Sequence, residues 1–179
     1  MRLFHLSDLH IGKRVNEFSM IEDQKYILER ILDLAEKEMP DGVILAGDIY
    51  DKQIPSAEAV QVFDEFITKL AERKFPIFVI SGNHDSAERL AFGGRLLNSR
   101  GIYLSPVYDG TVMKIPIADQ YGTVWIHLLP FIRPAAVRRV FEDESDLITD
   151  VQSAVRAVIS HMEIDPNERN ILVAHQFVT

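Results

Sequence analysis

The sequence contains no cysteine among its 179 residues. That absence removes disulfides, thiolate nucleophiles and every Cys-ligated zinc or iron–sulfur site, leaving His, Asp, Glu and Asn as metal donors. No apolar run approaches the ~18 residues of a membrane span, and the first ten residues carry Asp8 and two histidines where a secretory leader needs an apolar stretch. The expected location is the cytoplasm, with no membrane partner. Positive charge is also short, with 19 Lys+Arg against 27 Asp+Glu and a formal charge of −8. Such a chain does not grip nucleic acid by bulk charge, so a phosphate ligand needs bound cations or a local basic patch. Glycine (9) and proline (8) are sparse and no tract is compositionally biased. The remaining 47% hydrophobic and 26% charged residues describe an ordinary folded domain, and the length fits one core.

Two kinds of segment alternate along the chain. Arg2–Leu6, Gly42–Ala46 and Pro76–Ile80 are short apolar runs ending in polar or glycine-containing turns, the pattern of buried parallel strands. Between them, Ser19-Met20-Ile21-Glu22 reads as a capping box opening a helix to about Glu38, with Pro40 as its stop. A second helix is expected from Ser56, with Val60, Phe63, Phe66, Ile67 and Leu70 on one stripe. The first 80 residues therefore predict a right-handed β-α-β-α-β unit. A third helix is expected over Ala87–Asn98. Beyond Gly101 the runs Ile102–Leu104, Thr111–Ile117 and Thr123–Leu129 predict antiparallel strands, followed by an amphipathic helix from Leu147 to Ile159 and a last strand, Ile171–Ala174. Arg138-Arg139 and Glu142–Glu144 read as a solvated face.

The residues with chemical potential share one placement. Asp8-Leu9-His10, Gly47-Asp48, Gly82-Asn83-His84-Asp85 and His175 each follow directly on an apolar strand. In α/β sheets ligands bind outside the carboxyl ends of strands, so four segments converge on one mouth. Asp8 and His10, two apart on an extended stretch, can face one ion while Leu9 turns into the core. Asp48 can bridge two dications, Asn83 offers a neutral oxygen and His175 a nitrogen. Taken singly, each is an ordinary turn or packing residue, and the coincidence is what carries the metal reading. His5, His127 and His161 have no comparable neighbours in sequence and read as structural or surface residues.

Asp8-x-His10, Gly47-Asp48-x-x-Asp51, Gly82-Asn83-His84-Asp85 and His175 together resemble the ordered motif set of the calcineurin-like metallophosphoesterases. Asp85–Gly93, Leu129–Pro134 and Ala174–Phe177 give a narrower resemblance to the SbcD-type nuclease subunits of bacteria. The resemblance implies a two-sheet sandwich flanked by helices and a DNA nuclease with two Mn²⁺, Mg²⁺ being the alternative. It also implies a homodimer and an SbcC-type ATPase partner, with DNA ends and hairpins as substrate. Residue by residue, it places Asp8, His10 and Asp48 on the first metal and Asp48, Asn83 and His175 on the second, with His84 facing the scissile phosphate. Asp51 stands where related phosphatases carry the carboxylate that orients this histidine, so His84 and Asp51 form the expected catalytic dyad. Asp85 is left to order the turn. The family completes both metal sites with a later Gly-His-x-His motif, absent from residues 1–179, so the expectation is an N-terminal fragment of the domain with little turnover of its own. The dimer is expected to use Ser56–Leu70 and Ala87–Asn98, where Phe63, Phe66, Leu96 and Leu97 are apolar; core packing of those residues is the competing reading. Two other functions stay open: a small-substrate metallophosphatase or phosphodiesterase on the same site, and an inactive dimerisation fragment.

Overall fold

The computed structural model describes residues 1–177. In chain order the elements are β1 (Leu3–Leu6), β2 (Arg14–Val15), β3 (Phe18–Ser19), α1 (Ile21–Glu38), β4 (Gly42–Ala46), α2 (Ala57–Glu72), β5 (Ile77–Ile80), α3 (Ala87–Leu90), α4 (Gly94–Leu97), β6 (Ile102–Leu104), β7 (Met113–Asp119), β8 (Gly122–Leu129), α5 (Pro134–Val140), α6 (Val151–Ser160) and β9 (Arg169–Ala174). One parallel sheet runs β1-β4-β5-β6 and a second runs β7-β8-β9.

The two-residue period of the central strands builds the layers. Val43 and Leu45 of β4, with Ile77 and Val79 of β5, pack on one face against Leu28 and Leu32 of α1 and Phe63, Phe66 and Leu70 of α2. The alternate residues Ile44, Ala46, Phe78 and Ile80 face Ile126, Leu128 and Val173 of the second sheet. Both faces are covered, which is why these strands read as unbroken apolar runs rather than alternating ones. On the far side of the second sheet, Leu129 packs with Val137 of α5 and Ala154 and Val158 of α6. The result is the expected two-sheet sandwich with helices on both outer faces. No helix of the described residues is long and apolar enough to cross a membrane.

Four local expectations are corrected. Ser19 is not an N-cap: it is drawn into the β2–β3 hairpin, and Met20 opens α1 without a side-chain cap. The capping box lies instead at Asp150 and Ser153, so the last long helix starts at Val151 and leaves Leu147 73% exposed. The helix expected over Ala87–Asn98 is broken between α3 and α4 by Gly93, whose φ of +76° no continuing helix accepts. Finally, antiparallel pairing beyond Gly101 holds only for β7–β8. β6 joins the first sheet parallel to β5, and β9 runs parallel to β8.

Candidate metal centre

Because β1, β4 and β5 are parallel, their carboxyl ends open on one side, and β9 brings His175 to the same place from the second sheet. The loops after β1 and β4 are zipped together by main-chain bonds from Asp8 to Gly47 (3.1 Å), His10 to Asp48 (2.9 Å) and Ile11 to Ile49 (2.9 Å). This path is not the extended one the spacing predicts. Asp8 (φ 56°), His10 (φ 43°) and Asp48 (φ 50°) all sit in the left-handed region, which non-glycine residues seldom occupy. Leu9, between Asp8 and His10, still packs against the core, as expected. Such strain persists where surrounding contacts over-determine it, and it clusters at functional sites.

Asp48 is the hub and is only 3% exposed. One of its oxygens accepts from the His84 main-chain N–H at 2.9 Å. The other faces His175 Nε2 at 3.5 Å and His10 Nε2 at 3.7 Å, and Asp8 Oδ1 lies 3.8 Å from the same His10 nitrogen. Two sets of side-chain donors each gather within 4.8 Å: His10, Asp48 and His84, and Asp8, Asp48 and His175. Asp48 is common to both, as a bridging carboxylate must be. Asp8 clusters with His175 in one set and His84 with His10 in the other, while Asp8 and Asp48 both also stand within 3.8 Å of His10 Nε2. Asn83 lies at the rim, lining a 200 Å³ cavity with His175.

Tautomers test the fit to cations. His175 Nδ1 lies 2.7 Å from the Ala46 carbonyl oxygen, a contact that requires a proton on Nδ1. Its Nε2 stands 3.5 Å from the Asp48 carboxylate, where a neutral ring turns a lone pair to the carboxylate and a charged ring forms an ion pair with it. His84 is held in the same way behind the ring, with Nδ1 3.0 Å from the main-chain oxygen of Asp51. With neutral rings, converging lone pairs and carboxylates are unfavourable alone and are relieved by dications, and a main-chain carbonyl behind the ring is the usual means of fixing a metal-binding histidine. The donor set therefore fits metal ions.

The expected dyad takes a different form. His84 meets Asp51 through the main-chain carbonyl, whereas the Asp51 carboxylate lies 3.8 Å from His10 Nδ1, a buried nitrogen with no hydrogen-bond partner among the described residues. Asp85 orders the turn as expected and does more. Buried, it accepts from Gly82 N (2.9 Å), Ile49 N (3.1 Å) and Tyr50 N (2.9 Å), so one carboxylate fastens the β4 and β5 loops. Two glycines are required sterically. A Cβ on Gly82 would overlap Asp48 Oδ1, and one on Gly47, already at φ +87°, would stand 2.7 Å from the His175 ring.

Sequence reading missed Gln24 and Ser7. Gln24 accepts from Gly12 N and donates to the Leu9 and His10 carbonyls, holding the His10 loop from α1. Its signal was available: a polar residue between Ile21 and Leu28 on the buried stripe. Ser7 Oγ donates to the Ala46 oxygen that also receives His175. His127 bonds Asn170 at 2.9 Å and His161 pairs with Glu144 at 3.2 Å, consistent with structural roles.

The model of the calcineurin-like phosphoesterase family matches residues 1–179. The chain is 36% identical over 178 residues to the SbcD component of the SbcCD nuclease of Staphylococcus epidermidis, and 34% identical over 178 residues to the same component from Staphylococcus saprophyticus. Each match covers 98% of this chain and 46% of the relative, so the chain spans about half the length of these curated relatives. With the motif order, the layered sheets and the metal-fitting donor set, these matches show that the chain belongs to the calcineurin-like phosphoesterase family.

Proposed function

We propose that this chain is the phosphodiester-cleaving part of a DNA nuclease that works with two divalent cations, Mn²⁺ or alternatively Mg²⁺. The observation that carries the reading is the convergence of the His175 imidazole and the carboxylates of Asp8 and Asp48 on one mouth. The similarity to relatives named as components of a nuclease supports DNA as the substrate. When bound, the ions polarise a phosphate oxygen and lower the pKa of bound water toward ~7. Asp8, His10, Asp48, Asn83 and His175 are the residues that would hold them.

The chain's own groups do the rest. His84, exposed at the rim with Nδ1 fixed by the Asp51 carbonyl, presents Nε2 to the phosphate, where as the imidazolium it gives its Nε2 proton to the leaving oxygen and is left as the neutral ring. Asp51 positions His84 by its main chain and His10 by its carboxylate. Arg14 and Lys52 line a cavity beside Asp51 together with Glu58 and would contact phosphates of DNA there, with bound cations supplying the rest of the positive charge that a chain of −8 needs.

A cytoplasmic protein acting on DNA ends and hairpins with an SbcC-type ATPase, as a homodimer, completes this reading. A 640 Å³ groove lined by Val60, Phe63, Ile67 and Phe92 is the surface for a second copy. Phe63 and Phe66, placed on that surface by the sequence, are core residues, while Phe92 and Leu96 are 86% and 80% exposed. Incubating the Mn²⁺-loaded protein with duplex DNA, a hairpin and p-nitrophenyl phosphate tests the proposal. Cleavage of either DNA, abolished by Asp48→Asn, is expected. Turnover of p-nitrophenyl phosphate without any DNA cleavage would make it a small-substrate phosphatase, and no turnover of any substrate an inactive scaffold.

A further inference from the structure

We propose that the corner between Phe131 and Phe177 is a stacking subsite for the nucleobase carried by the phosphate at the metal centre. The inference rests on the nuclease reading and refines it. Two stretches of the sequence, Leu129–Pro134 and Ala174–Phe177, contribute only His175 to the metal chemistry, yet they meet in space beside it. Phe131 and Phe177 stand edge to face with ring centroids 6.1 Å apart, and Phe177 is 68% exposed two residues after His175.

Phe131 and Asn83 together line two adjoining cavities. One, of 200 Å³, also takes in His175 and Phe177; the other, of 290 Å³, reaches Tyr108 and Arg133. The trough therefore begins at a candidate metal ligand, passes an aromatic wall and reaches an exposed cation. Its position is rigid, because Phe131 N donates to Ser81 O at 2.8 Å and Gln176 Nε2 to Pro130 O at 3.0 Å.

Two polar atoms here are unsatisfied. Gln176 Oε1 and the Tyr108 hydroxyl are both buried without a hydrogen-bond partner among the described residues. Unpaired buried groups of this kind are rare and call for a ligand or water. A nucleobase supplies a flat face for the aromatic corner and donors and acceptors on its edge, and stacking of this type tolerates any base. Arg133 is then placed for a neighbouring phosphate.

Calorimetry on the Mn²⁺-loaded protein with thymidine 5′-monophosphate and with 2-deoxyribose 5-phosphate tests the subsite. The nucleotide should bind about 5- to 150-fold more tightly, the contribution of one stacked base. Phe177→Ala and Phe131→Ala should each bring that ratio toward one without changing Mn²⁺ content, and Phe131→Trp should preserve it. Equal affinities in the unaltered protein, or a ratio that survives both alanine variants, would overturn the subsite while leaving the metal reading intact. Failure of both probes to bind the metal-loaded protein would overturn the nuclease reading as well.

Discussion

At the scale of single residues, the site depends on atoms that cannot be present as much as on those that are. Gly82 is the sharpest case, since a methyl group there would overlap the Asp48 oxygen that receives the His84 N–H. Gly82→Ala should therefore fold, by circular dichroism, yet bind Mn²⁺ at least about 10-fold more weakly in calorimetry, the cost expected when ligand support is lost. Asp51 shows where sequence reading stops. The spacing from Asp48 brought Asp51 to His84 correctly, but whether it meets the ring through carboxylate or carbonyl is decided by the loop path. The carbonyl does so, leaving the carboxylate near His10. Asp51→Asn should then weaken Mn²⁺ binding about 10–100-fold while His84 keeps its partner. His84→Gln should remove most turnover and leave metal content unchanged. Unaltered metal affinity in Asp51→Asn together with lost turnover would return the carboxylate to the His84 dyad.

Among the elements, legibility followed burial. β4 and β5 were readable because residues packed on both faces leave no polar alternative, and α1 and α2 because their apolar stripes match the helical period. What sequence could not supply was partner choice. Three-residue β6 carries too little pattern to distinguish an edge of the first sheet from a hairpin, and only the common face with α4 settles it. Ser19 had the chemistry of a cap but was recruited by a hairpin whose two-residue turn, Asn16-Glu17, lies wholly in the left-handed region. The convergence of the candidate ligands was legible because they sit at strand ends, whereas Asp85's bonds to Ile49 and Tyr50 join loops far apart in sequence. Between the sheets, Phe78 is fully buried and stacked on Tyr103 with centroids 5.5 Å apart. Phe78→Ala should cost about 3–5 kcal/mol in urea unfolding, as deletion of a core aromatic does. A loss under about 1 kcal/mol would mean that the sheets close over the cavity.

For the molecule as a whole, the two sheets are joined by their apolar faces and also by one carboxylate at their common edge. Asp119, at the end of β7, has only 7% of its side chain exposed. It accepts two bonds from the Arg169 guanidinium at 2.7 and 3.1 Å and one from Tyr121 N at 2.8 Å, and it faces the Met1 ammonium at 3.1 Å. The chain's beginning, the β7–β8 turn and the start of β9 thus share one anion. The Arg169 contacts, followed by the Tyr121 N–H, hold the Asp119 carboxyl well below the usual carboxylate range. A group whose pKa is lower folded than unfolded contributes stability that is present above its unfolded value of about 3.9 and is lost as pH falls toward the folded value. Stability should therefore be flat from neutral pH to about pH 5 and decline steeply below about pH 4. Asp119→Asn, which keeps the shape but not the charge, should lower the urea midpoint at pH 7 and flatten the decline below pH 4. Asp109 and Asp150 are also depressed, by Thr111 and Ser153 within their own turns. If the acid limb of Asp119→Asn kept its full slope, those local turns rather than the inter-sheet clamp would be the source of acid sensitivity.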